Sequence, residues 1–206
     1  MYSQISTVQS ENNADTRTEL EPLVEQASRG DKKALCKLVE SISKGVLFQS
    51  TYILGDQAGA EDISQEVLIR VCENIQGLRN PKAFKSWLAR IIVNEKNRFL
   101  SKRLKYGTPL NVDDHLDNIP DEEFLPHERV ENTELHKVVM DVISKLPMRQ
   151  REVIMLHYYS DLSVTEVARS MNITTQTVSK NLAIAREKLK RKFGDQLFES
   201  RAQELN

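Results

Sequence analysis

The chain has 206 residues, with 29 Lys and Arg against 30 Asp and Glu and a formal net charge of −1. That balance excludes a uniformly basic nucleic-acid coat, so any affinity for phosphate must sit in local patches. Only seven glycines and six prolines, set against 29% charged residues, favour a helical protein; no apolar run approaches the ~20 residues of a membrane span, and the opening MYSQISTVQSENNAD lacks the basic and apolar regions of a secretion signal.

In chain order, residues 1–18 are polar and are predicted to form a disordered tail. Residues 19–106 are dense in helical periodicity and are predicted to form a first domain. Cys36 and Cys72 fall in apolar helical patterns and are predicted to be reduced core residues of a cytoplasmic protein. His115, His127, His136 and His157 show no metal-ligand spacing with them, and no metal or other cofactor is expected. Asp56 is placed to cap a helix running to about Gln76, with Gly77 as its stop. Ile63, Val67, Val71 and Ile75 mark its inner side. Glu61, Asp62, Gln65, Glu66 and Glu73 form an outer, mostly acidic side, which taken alone reads as an ordinary solvated face.

Residues 79–105 differ in character. They carry nine basic residues and one acid, Glu95, for a net charge of +8. Phe84, Trp87 and Phe99 are interleaved with these charges, and Tyr106 follows them. Basic side chains attract phosphate and aromatic rings offer stacking platforms to unpaired bases. A core role for the aromatics is compatible with this, because one helix can bury one side and present the other.

Residues 107–128 contain three prolines, seven acids and no Lys or Arg, the composition of an acidic linker. Fully extended at ~3.3 Å per residue, such a linker spans about 70 Å. Helical patterning resumes over residues 129–193. Leu135, Val138, Val139, Val142, Ile143 and Leu146 make an apolar stripe that Pro147 stops. Residues 194–206 form a C-terminal tail.

The most informative stretch is residues 147–192. Ser163 and Glu166 form a capping box, and Leu162 and Val167 flank it as a hydrophobic staple. Asn172 suits a left-handed turn, Thr174 caps the next helix, and Ile173 staples onto Val178. Two capped helices with a tight turn are the pattern of a helix-turn-helix, whose second helix enters the DNA major groove. Val178, Leu182, Ala185 and Leu189 mark its buried face, whereas Gln176, Lys180, Ala183 and Ile184 lie away from it. Residues 180–192 add six basic residues against one acid. A small bundle with a solvated basic end would share the charge; the paired caps favour DNA binding.

Taken together these pieces resemble the extracytoplasmic-function (ECF) sigma factors, small two-domain initiation subunits of bacterial RNA polymerase. AEDISQEVLIRV, from Ala60 to Val71, is similar to the family's polymerase-binding helix; FKSWLARIIVNEKNRFL, from Phe84 to Leu100, to its −10 recognition and melting segment; and residues 146–189 to its −35-binding domain. The resemblance implies an all-α fold of two helical domains, sigma region 2-like and region 4-like, joined by the acidic linker. It implies core-polymerase contacts at Asp62, Gln65 and Glu66. Trp87 and Asn94 match the family's residues at the melted −10 strand, and Arg90, Lys96 and Arg98 from the basic stretch are expected beside them. Ser179, Lys180, Ala183 and Ile184 occupy positions used to read the −35 element, with Thr174 and Gln176 at the helix start, where N–H groups meet phosphate.

Departures from the family pattern are local. QTVSKNLAIAR stands where GTVKSRLHRAR is common, so Ala183 and Ile184 offer apolar contact, such as to a thymine methyl, in place of arginine readout of guanine. Arg98 stands where aspartate is frequent. The expected function is that of an alternative sigma factor, without catalysis of its own and without a membrane segment, whose partners are core RNA polymerase, promoter DNA and an anti-sigma factor. A free-standing helix-turn-helix regulator is the alternative; it accounts for residues 147–192 but leaves Trp87 and Asn94 without a role.

Overall fold

The computed structural model describes residues 20–106 and 133–204, with side chains over 20–106 and 139–191. Within these residues the chain is helical and contains no strand. The predicted N-terminal tail and acidic linker lie outside the described residues, as do the side chains of Leu135 and Val138. The segment expected as a C-terminal tail continues the last helix, to Glu204.

The first domain opens with α1 (20–28) and α2 (Lys32–Leu54). The Asp31 carboxylate accepts from the Lys33 and Ala34 amides and so satisfies the free N–H groups at the start of α2. Gly55 ends it at φ 77°, a conformation glycine adopts without a Cβ clash. Helix α3 (Gln57–Asn74) runs back along α2 and closes in a short 3-10 turn, Ile75–Gly77. Gly59 permits that approach: a Cβ there would lie 2.7 Å from both Leu54 and Phe99. Asp56 stands at the N-cap of α3, but its side chain makes no capping bond; the carboxylate accepts instead from Arg103 at 2.6 Å. Helix α4 (Phe84–Lys105) then lies against α3 and α2.

The second domain holds α5 (Thr133–Ser144), α6 (Met148–Ile154), α7 (Val164–Met171) and α8 (Thr175–Glu204). A five-residue π-helical segment, Met155–Tyr159, extends α6. The predicted caps form as expected. Ser163 accepts from the Glu166 amide while the Glu166 carboxylate accepts from the Ser163 amide at 2.9 Å. Asn172 adopts φ 52°, and Thr174 accepts from the Thr177 amide at 3.2 Å.

The two domains pack on one another through a shared apolar core. Residues 48–54 of α2 are buried all round, as expected of a helix segment enclosed on every side. Helix α3 covers one flank, and α6 with its π-helical extension covers another. Phe48 stacks against Tyr159 with ring centroids 5.0 Å apart. Helix α4 meets α7 at the same junction.

Cys36 and Cys72 are both exposed and free, contrary to their predicted place in the core. The buried line in α2 is Ala34, Leu38, Ile42 and Val46, at four-residue steps, and Cys36 falls between its members. In α3 the buried line is Ile63, Val67 and Val71, and Cys72 is one step, about 100°, off it.

Candidate nucleic-acid interface

Helix α3 presents the acidic face that its periodicity predicts. Asp62, Gln65 and Glu66 are exposed while Ile63, Val67, Val71 and Ile75 are buried. Sequence reasoning missed what lies beside them. A groove of about 390 Å³ runs between α3 and α4, with Ile69, Phe99 and Tyr106 among its apolar lining and Arg98, Lys102 and Arg103 on its α4 wall. Ile69 is 48% exposed and Tyr106 77% exposed, so an occupant of the groove would gain apolar contact as well as charge. Ile69 interrupts the polar run of α3, and that interruption is the signal available in the sequence.

Helix α4 divides the predicted −10 residues between two sides. Trp87, Arg90, Asn94 and Arg98 follow three- and four-residue steps and so share one stripe. Arg90, Asn94 and Arg98 are exposed; Trp87 is half-buried, its ring 5.8 Å from that of Phe84. Arg98 also donates to Glu95 at 3.2 Å, and Arg70 approaches the other Glu95 oxygen at 3.4 Å.

Lys96 does not join this stripe. It sits on the opposite side of α4, is 3% exposed, and donates to the Glu152 carboxylate in the second domain. Burial pushes its pKa below the usual lysine value, and Glu152 opposes that shift. Lys96 is therefore not available to DNA in this arrangement. Glu152 is buried in turn, and its second oxygen makes no hydrogen bond and lies 3.9 Å from Arg149.

The second helix of the helix-turn-helix, α8, is open to solvent where base contact was expected. Thr174, Gln176, Ser179, Lys180 and Ala183 are exposed and Ile184 is half-exposed, while Val178, Leu182 and Ala185 are buried. Arg186 extends the basic side, donating to the Tyr158 hydroxyl at 2.6 Å with its guanidinium 5.6 Å from that ring. The Tyr158 contribution from the preceding π-helical segment was not anticipated. Backbone N–H groups, hydroxyls and a lysine at a helix start make a surface suited to a phosphate backbone and a major-groove edge.

Comparison with known proteins identifies the family. The family description "Sigma-70 region 2" matches residues 38–105, and "Sigma-70, region 4" matches residues 136–189. The ECF RNA polymerase sigma factor SigW of Bacillus subtilis is 32% identical over 179 residues, covering 84% of this chain and 95% of SigW. The ECF RNA polymerase sigma-E factor of Haemophilus influenzae is 29% identical over 180 residues, covering 82% of this chain and 93% of that protein. The chain belongs to the ECF sigma factor family. Among solved structures, CnrH in complex with the cytosolic domain of CnrY shares the fold, with a TM-score of 0.52 at 21% identity over 85% of this chain and 97% of that one. No helix among the described residues is long and apolar enough to cross a membrane.

Proposed function

We propose that this chain is an alternative sigma factor that binds core RNA polymerase, places it on a promoter and stabilises the opened −10 strand. It would act in the cytoplasm, without catalysis of its own and with no cofactor. Asp62, Gln65 and Glu66 would meet a basic surface of core polymerase. Trp87, Arg90, Asn94 and Arg98 would engage the −10 DNA, with bases held outside the stack against aromatic and amide side chains. Thr174, Gln176, Ser179, Lys180, Ala183 and Ile184 would meet the −35 element. Lys96 belongs to the −10 set only if the domains separate. The solved neighbour pairs CnrH with the cytosolic domain of CnrY, and an anti-sigma protein is included among the partners proposed here.

One observation carries this reading: a single chain presents both an acidic face on α3 beside a partly apolar groove and an exposed basic helix-turn-helix on α8. A free-standing regulator needs the second and not the first. Transcription in vitro with purified core polymerase on a library of randomised promoters tests the proposal. Start sites that appear only when the chain is added are expected, and their absence refutes it. A strong sequence-specific footprint made without polymerase would favour the free-standing regulator instead.

A further inference from the structure

One basic side chain of α8 is held differently from its neighbours. Arg191 pairs with Glu187 of its own helix, and Lys188 reaches the Gln150 side chain at 3.4 Å. Arg186 turns instead to the π-helical segment. Its Nε donates to the Tyr158 hydroxyl at 2.6 Å, and its guanidinium carbon lies 5.6 Å from the centre of that ring. No carboxylate among the described residues pairs with it. Tyr158 is itself held. The segment Met155–Tyr159 is wound more widely than an α-helix, with the Ser160 amide donating to the Met155 carbonyl at 3.0 Å; single turns of this kind recur at functional sites. The His157 ring meets the Tyr158 ring edge-on with centroids 4.7 Å apart, and His157 Nδ1 donates to the Leu162 carbonyl at 2.6 Å.

We propose that Tyr158 and Arg186 form a phosphate-binding pair for duplex DNA, in which Tyr158 is a positioning residue and the two Nη groups of Arg186 hold one phosphodiester. The proposal rests on the helix-turn-helix part of the sigma-factor reading. A guanidinium carries five N–H donors in a planar fork. The Nε–H is spent on Tyr158, which leaves both Nη groups to meet phosphate oxygens side by side. A fork already held by a ring and a hydroxyl loses less freedom on binding than a free one. Its place on the helix fits the task. Arg186 lies two turns beyond Ser179, on the same side of α8 as Ser179 and Ala183, and is exposed with them. Measured along the axis it stands about 16 Å from Thr175, the first residue of α8. The major groove is ~12 Å wide. A helix whose first turn sits at the base edges therefore carries Arg186 out to the phosphates that border the groove.

Fluorescence anisotropy of a labelled mixed-sequence duplex of about 20 base pairs, titrated with the full chain over a range of salt, tests the pair, because phosphate contacts appear in the salt dependence and need no particular promoter. Arg186→Ala should make the salt slope shallower by about one unit and weaken duplexes of different sequence alike. Arg186→Lys should keep most of the slope yet bind more weakly, since an ammonium has the charge but neither the fork nor the Nε. Tyr158→Phe keeps the ring and removes the acceptor; it should weaken binding roughly fivefold in the parent and not at all in either Arg186 variant. An unchanged slope in Arg186→Ala overturns the phosphate contact. Equal losses from Tyr158→Phe with and without Arg186 overturn positioning and leave the tyrosine a structural residue. A parent that does not bind the duplex at the lowest salt overturns the proposal as well.

A second arm reads the pair without DNA. In nitrogen-15 NMR of the full chain, the Arg186 Nε–H should exchange with water more slowly in the parent than in Tyr158→Phe, and equal exchange in the two refutes the hold on Nε. Neither arm contains polymerase. Failure of the pair therefore leaves the sigma-factor reading to its transcription assay, and missing transcripts there would leave the pair standing on a free-standing helix-turn-helix.

Discussion

Asp62 and Glu66 stand about one turn apart on the open wall of the α3 groove, across from Arg98 and Arg103. Reversal of charge at either position, as Asp62→Lys or Glu66→Lys, should abolish co-purification with core polymerase, because it sets a cation against a basic partner surface. Both residues are exposed, so the unfolding free energy should stay within about 0.5 kcal/mol of the parent. Asn94 carries the second residue-scale prediction. It is exposed on the same stripe as Trp87, and Asn94→Ala should reduce open-complex formation more than closed-complex binding. Permanganate reactivity of promoter thymines checks this, and equal loss of both steps would reassign Asn94 to duplex positioning. Trp87→Ala is a poorer probe, since truncating a packed aromatic costs ~3–5 kcal/mol of stability. Lys96 shows where residue-level reading from sequence ends. A lysine in a +8 segment reads as a phosphate ligand, yet its partner is Glu152, 56 residues away in the other domain. Helical phase alone already separates Lys96 from Asn94 by about 200°; the identity of its partner is a long-range fact that no local pattern encodes.

At the scale of elements, the helix-turn-helix was legible because its determinants are local. Ser163, Glu166, Asn172 and Thr174 lie within a few residues of the groups they satisfy. Ser163→Ala should therefore cost ~1 kcal/mol in urea denaturation. Asn172→Gly should be near neutral, whereas Asn172→Val should cost ~1–2 kcal/mol or more at φ 52°. Asp56 marks the opposite case: its position as N-cap was right, but Arg103 of α4 outcompetes the helix amides for its carboxylate. Residues 48–54 of α2, FQSTYIL, were equally opaque. They lack both a charge and a one-sided stripe, because helices cover them on more than one flank and even Gln49, Ser50 and Thr51 are buried. On α8, Lys180 is exposed at the start of the helix and free of the buried line of Val178, Leu182 and Ala185. If it reads a base, Lys180→Ala should relax preference at one −35 position by ~1–3 kcal/mol. Uniform weakening across promoter variants, with a salt slope shallower by about one unit, would place it on phosphate instead.

For the whole molecule, periodicity and composition conveyed two helical domains but not their union. Residues 107–128 read as an acidic linker between two domains, and the shared core and the paired charges bring those domains together. Arg151 is central to that union: it donates to Ile53 and Leu54 at 3.4 and 3.3 Å and to Ser144 and Leu146 at 2.8 and 3.0 Å, so one guanidinium serves carbonyls of both domains, and burial lowers its pKa from the usual arginine value. Heat should unfold the parent in a single calorimetric transition. Glu152→Lys should split it into two, because the domains then melt separately. A persistent single transition in that variant would mean that the apolar contacts alone couple them.

The shared core also bears on how the chain is made. Synthesis runs from the N-terminus at ~5–20 residues per second, and domains fold as they emerge. Lys96 therefore precedes its partner Glu152 by 56 residues, several seconds at that pace. For that interval Phe48, the Ile53 and Leu54 carbonyls and the Lys96 ammonium face water or whatever holds the nascent chain. The first half of the protein is thus finished with a sticky, charged seam that only its own second half covers. Ribosomes stalled near residue 130 should present the species most in need of a chaperone, and messages cut there should yield a less soluble product than the full chain.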